Sequence, residues 1–113
     1  MTPIMQLWAR IAAGKLPEGI GVDFKNGDSP SATILINGCR HTYLDDDSTN
    51  DWHRYALLKI VDAWETQGLE FSRRRYGRSI AWGYYDGDEA WWGNSNESEI
   101  LALATVLAEG LYS

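Results

Sequence analysis

Hydrophobic positions along this chain follow two periods, and the switches between them mark its elements. Ile4, Leu7, Trp8 and Ile11 recur at three- and four-residue steps, which predicts an amphipathic helix over 3–13. Thr2 stands before it as N-cap, Pro3 takes the first helical position and Gly14 ends the run. Pro17, Gly19 and Gly21 make the next stretch a turn; a short strand follows at 21–24, and Asn26-Gly27-Asp28-Ser29-Pro30 is a loop. Residues 32–36 and 39–44 read as strands joined by Asn37-Gly38, a pair that tolerates the positive φ values of a two-residue hairpin turn. That turn implies a register. Ile36 faces Cys39, Ile34 faces His41 and Ala32 faces Tyr43 on one side, with Leu35 facing Arg40 and Thr33 facing Thr42 on the other.

The helical period returns over 51–67, where Trp52, Leu57, Ile60, Val61 and Trp64 define an apolar side and Gly68 is the left-handed stop. Residues 69–75 alternate as a strand with Leu69 and Phe71 on one face, and Tyr76-Gly77-Arg78-Ser79 turns it. Strands at 80–85 and 88–93 form a second hairpin around Asp86-Gly87. In this register Trp82 faces Trp91 and Tyr84 faces Glu89 on a core side that includes Ile80. Ala81 faces Trp92, Gly83 faces Ala90 and Tyr85 faces Asp88 on the opposite side. A final helix over 97–109 is capped by Ser95 or Asn96, with Glu99 three residues after Asn96. Its stripe is Ile100, Leu103, Ala104, Leu107 and Leu111. The element order αβββ–αβββ–α predicts an α+β fold in which three helices pack on about six short antiparallel strands. The order repeats, so 1–48 and 50–94 read as a weak pseudo-repeat followed by the C-terminal helix.

Length adds that 113 residues make one domain, able to bury roughly two thirds of its unfolded surface. No apolar run approaches the roughly 18 residues of a membrane span, and the first residues lack the basic-then-apolar order of a signal peptide. The single cysteine, Cys39, cannot form an internal disulfide and is expected as a small buried residue in a cytoplasmic protein. Ten basic against sixteen acidic residues give a net charge of -6. That balance disfavours direct binding to nucleic acid or to an anionic membrane.

Few residues carry a chemical signature. Asp45, Asp47, Thr49 and Asp51 alternate like the first ligands of a calcium loop, but the motif's glycine and glutamate places hold Asn50 and Ala56. The acidic run reads instead as capping and charge at the start of the central helix, from Thr49, Asn50 or Asp51. His41 is expected half-buried opposite Ile34, and His53 lies in the first helical turn, with no nucleophile or orienting acid at telling spacing. No phosphate loop or zinc cysteine pair occurs. No catalytic residue, metal or cofactor is expected. Arg73, Arg74, Arg75 and Arg78 form the one basic cluster. Strand alternation puts Arg73 and Arg75 on one side and Arg74 on the other, with the acidic tip Asp86, Asp88 and Glu89 as the expected charge partner.

Six tryptophans and six tyrosines are the strongest signal in so short a chain. If helices cover the second sheet on one side only, Trp92 and Tyr85 stand in solvent as interface anchors. The chain resembles, in general character, the small acidic accessory proteins of phages and mobile elements, which act by binding. The expectation is a non-enzymatic cytoplasmic protein that blocks a partner protein, such as an anti-CRISPR-type inhibitor of a bacterial defence complex. Trp92, Tyr85, Arg74 and Arg78 supply the contact, with Asp45, Asp46, Asp47, Asp86, Asp88 and Glu89 facing a basic nucleic-acid groove. An immunity protein that neutralises a toxin belongs to the same mechanistic class. A carbohydrate-binding module would instead use Trp92, Tyr85 and Tyr84 as stacking platforms, and an assembly subunit would join copies near Arg73 to Arg78.

Overall fold

The computed structural model describes residues 1–46 and 51–110. Helix α1 spans Pro3–Ala13 and leads to strands β1 (Ile20–Lys25), β2 (Ser31–Ile36) and β3 (Cys39–Leu44). Helix α2 spans Trp52–Thr66 and leads to β4 (Glu70–Tyr76), β5 (Ser79–Asp86) and β6 (Glu89–Trp92). Helix α3, Glu99–Thr105, widens into a π-helical turn over Val106–Gly110. The fold is therefore α+β in the predicted order, with two antiparallel meanders, β1-β2-β3 and β4-β5-β6. Helix α1 lies on the first meander and α3 on the second; the two helices pack together, and α2 joins them. One cluster of buried side chains runs through all these layers, with Ile4, Trp8, Ile34, Leu57 and Leu103 at its centre. Burying each such side chain contributes about 1.5–3 kcal/mol.

The first hairpin keeps its predicted turn but not its predicted faces. Asn37 and Gly38 have φ of 52° and 82°, the doubly positive pair that a tight turn of this hand needs. Leu35 pairs with Arg40, but a bulge follows, so Ile34 pairs with Thr42 and Ala32 with Leu44. His41 is the extra residue. A one-residue shift exchanges the faces of a strand, so Thr42 and Leu44 turn into the core while His41 and Tyr43 turn out. Burial of Leu44 gives the shift its physical reason: without the bulge Leu44 would face solvent and Tyr43 would have to enter the core. His41 is thus exposed rather than half-buried. Cys39 is an exposed free thiol beside the turn, not a buried residue.

The second hairpin also shifts, with the opposite consequence. Its loop is Gly87-Asp88 rather than Asp86-Gly87, with Gly87 at φ 63° and Asp86 paired to Glu89. Tyr84 therefore faces Trp91, Tyr85 faces Ala90 and Gly83 faces Trp92. A shift of two residues leaves every side chain on its predicted face. Trp82 and Trp91 pack against the core, as that face requires.

Two helix details differ from expectation. The buried stripe of α2 is His53, Ala56, Leu57, Ile60, Val61 and Trp64, a continuous row at three- and four-residue steps. Trp52, one residue or about 100° around the helix from that row, is 55% exposed. His53 is fully buried, and its Nδ1 accepts a 3.0 Å hydrogen bond from Trp8 Nε1. Asp51 makes no side-chain cap bond, while Thr49 and Asn50 lie outside the described residues. Helix α3 starts at Glu99 rather than at 97, because Asn96 pairs with Ile80 as an added β-bridge. Ser98 is the cap instead, its hydroxyl accepting from Leu101 N.

Candidate functional site

Among the described residues two aromatic groups reach the surface, one on the second meander and one where β3 meets α2. The predicted group occupies the outer face of β4-β5-β6, which Glu70, Ser72, Arg74 and Tyr76 share with Ser79, Ala81, Gly83 and Tyr85, and with Ala90 and Trp92. Trp92 lies down across Gly83: a Cβ there would sit 2.5 Å from the indole Cδ2. The Arg74 guanidinium stands over the ring, 4.3 Å from its centroid, and Tyr85 meets the ring edge-on at 6.2 Å. The Arg74 pKa is raised above its ordinary value, chiefly by a side-chain hydrogen bond with Tyr76, with Tyr85 adding to it. Trp92 and Tyr85 are consequently half-buried by this self-contained stack. They are on the outer face as expected, but the indole's own cation–π partner already occupies it.

Tyr84 is not available as a platform. It lies on the inner face between Phe71 and Trp91, and its hydroxyl donates to the Gly110 carbonyl at 2.8 Å. Burial raises its pKa, and the charges of Asp86 and Glu89 raise it further. The π-helical turn places Gly110 where a side chain would strike Trp91 and Tyr84.

The arginines divide as alternation predicts. Arg73, on the inner side, pairs with Glu99 at 2.9 Å in a cluster that Arg54 joins at 3.6 Å. The acidic tip is not its partner, because the β4-β5 and β5-β6 turns lie at opposite ends of β5. Asp86, Asp88 and Glu89 are exposed at one end and Arg78 at the other.

The second aromatic group lies outside the contact surface that the sequence predicts. Tyr43 on β3 is 66% exposed, and Trp52 and Tyr55 in the first turn of α2 are 55% and 38% exposed. His41, turned outward by the bulge, stacks on Tyr55 at 5.7 Å and shares a 3.0 Å hydrogen bond with its hydroxyl. Trp52 stands perpendicular to Tyr55 with ring centroids 5.5 Å apart, and Lys59 Nζ lies 5.2 Å from the Tyr55 centroid. His41, Thr42, Tyr43 and Trp52 line a shallow recess. Asp45 and Asp46 follow the end of β3, Asp51 precedes Trp52, and all three are exposed; Asp47 lies outside the described residues. One sequence signal does point here: counting α2 from His53 instead of Trp52 gives the longer unbroken stripe and leaves Trp52 and Tyr55 outside it.

The predicted contact residues therefore fall on two surfaces rather than one. Asp45 and Asp46 border the β3–α2 aromatic group, whereas Trp92, Tyr85, Arg74, Arg78 and the acidic tip belong to the second meander. Among the described residues no group of three or more histidine, cysteine or carboxylate side chains is placed to hold a metal. No described helix is long and apolar enough to cross a membrane. No protein-family model, curated protein or solved structure matches the chain.

Proposed function

We propose that this chain is a non-enzymatic binding protein that docks on another protein through the β3–α2 surface. The observation that carries this reading is the gathering of Tyr43, Trp52 and Tyr55, all exposed, beside the carboxylates of Asp45, Asp46 and Asp51. Aromatic residues at the centre of a patch and charge at its rim are the composition of a protein-binding surface. The negative rim and the net charge of -6 select a partner with a basic surface. A nucleic-acid groove on a bacterial defence complex has that character, and a phage-encoded inhibitor occupying it would act by exclusion.

The perpendicular Trp52 and Tyr55 rings do not form the flat platform on which a sugar stacks. At the other surface Arg74 already covers Trp92. Both points favour a protein partner over a carbohydrate.

The test is a pull-down from bacterial lysate with tagged protein, with and without nuclease and at two salt concentrations. A stoichiometric partner that survives nuclease, weakens at high salt and is lost by Tyr43→Ala with Trp52→Ala supports the reading. Capture that is indifferent to both substitutions removes this surface from the function.

A further inference from the structure

The outer face of the second meander has a polarity that the β3–α2 reading does not use. Along β4 it presents Glu70, Ser72, Arg74 and Tyr76, so a carboxylate and a guanidinium are placed symmetrically about Ser72. Ser72 shares a row with Gly83 and Trp92. Beyond the sheet ends the pattern continues, with exposed Arg78 in the β4-β5 turn and exposed Asp88 in the β5-β6 turn.

We infer that this face is self-complementary and pairs two copies of the chain face to face. A twofold axis lying in the interface, perpendicular to β5 at the Ser72–Gly83–Trp92 row, carries each strand onto its own copy reversed. Arg78 then meets the partner's Asp88, and the Arg74 end of β4 lies over the partner's Glu70 end. The alternative axis, parallel to β5, sets like charges against each other at both ends, so charge selects the reversed arrangement. Sheets packed in this way lie about 10 Å apart with strands within about 30° of each other. Eight residues of β5 at about 3.3 Å each give a face about 26 Å long. With β4 of seven residues and β6 of four beside it, the face buries less than about 1,200 Å² in total, the low end of specific interfaces, so the dimer is weak.

Sedimentation equilibrium at low ionic strength, from micromolar to millimolar protein, tests this inference. The wild-type chain is expected to dimerise. Arg78→Asp and Asp88→Arg replace exposed turn residues; each should keep the wild-type circular dichroism spectrum and weaken the dimer about tenfold or more. Mixing the two variants should restore association near the wild-type level, because every 78–88 contact in the mixed dimer then joins opposite charges. A chain that stays monomeric overturns the inference, as does a dimer unmoved by either reversal or a mixture that fails to recover. A monomer whose capture of a lysate protein depends on Trp92 and Tyr85 also overturns it, assigning the face to a different protein. The β3–α2 reading stands or falls separately, on Tyr43 and Trp52.

Discussion

The two meanders share strand order and antiparallel pairing, yet they treat their aromatic residues in opposite ways. In the second, Trp92 folds back on Gly83 and takes Arg74 as a cover, so the ring is half-buried within its own chain. In the first, the bulge at His41 turns Tyr43 outward beside α2, where Trp52 and Tyr55 already reach solvent. Both hairpins depart from the simplest register, by one residue in one case and two in the other. Only the odd shift changes which side chains face the partner. A sheet is therefore not read from its turn alone; the parity of any slip decides what the outer face can do.

The contrast can be broken most severely at Gly83. Gly83→Ala places a methyl group 2.5 Å from both the Trp91 carbonyl oxygen and the indole of Trp92. A loss of about 3 kcal/mol is expected in chemical denaturation, because backbone cannot yield as a flexible side chain does. A neutral result would mean that Trp92 does not lie on Gly83. Trp92→Ala comes next, with about 1–2 kcal/mol lost as the ring leaves Gly83 and Arg74. In a double-mutant cycle Arg74→Ala should show favourable coupling to Trp92 but none to Trp52.

Deleting His41 sharpens the comparison from the other side. It leaves Leu35 opposite Arg40 and Ile34 opposite Thr42 in a regular ladder. Stability should change by less than about 1 kcal/mol, while the Tyr55 hydroxyl loses its partner. A large loss would show that the bulge does more than set parity. Tyr43→Ala and Trp52→Ala should alter stability by no more than about 0.5 kcal/mol each, yet cost tenfold or more in partner affinity. Equal losses in stability would return both residues to the core.

The smallest effect concerns Tyr84, whose folded-state pKa is raised from the ordinary value of 10.0 by burial and then by Asp86 and Glu89. Its unfolded form loses a proton first as the solution becomes alkaline, so stability is fully present below pH 10.0 and declines as pH rises through the folded value. Ultraviolet titration of the phenols should show this tyrosine ionising late. Tyr84→Phe should flatten the alkaline decline.

What the sequence alone determined was the element order, the helix and strand types, the α+β class and the sorting of the second hairpin's faces. These follow from local causes: apolar periods, glycine and asparagine at turns, proline at a helix start. Arg74 and Arg73 were separated correctly for the same reason, since alternation is a property of one strand. What only the tertiary structure decided was the parity of the first hairpin, the burial of His53 and the exposure of Trp52. Each depends on a neighbour distant in the chain. Trp8 supplies the hydrogen bond that lets an imidazole enter the core. The packed interior takes Leu44 in preference to Tyr43, and the bulge follows from that choice. Periodicity states which residues share a face; competition among all faces for one interior states which of them meets the solvent, and therefore a partner.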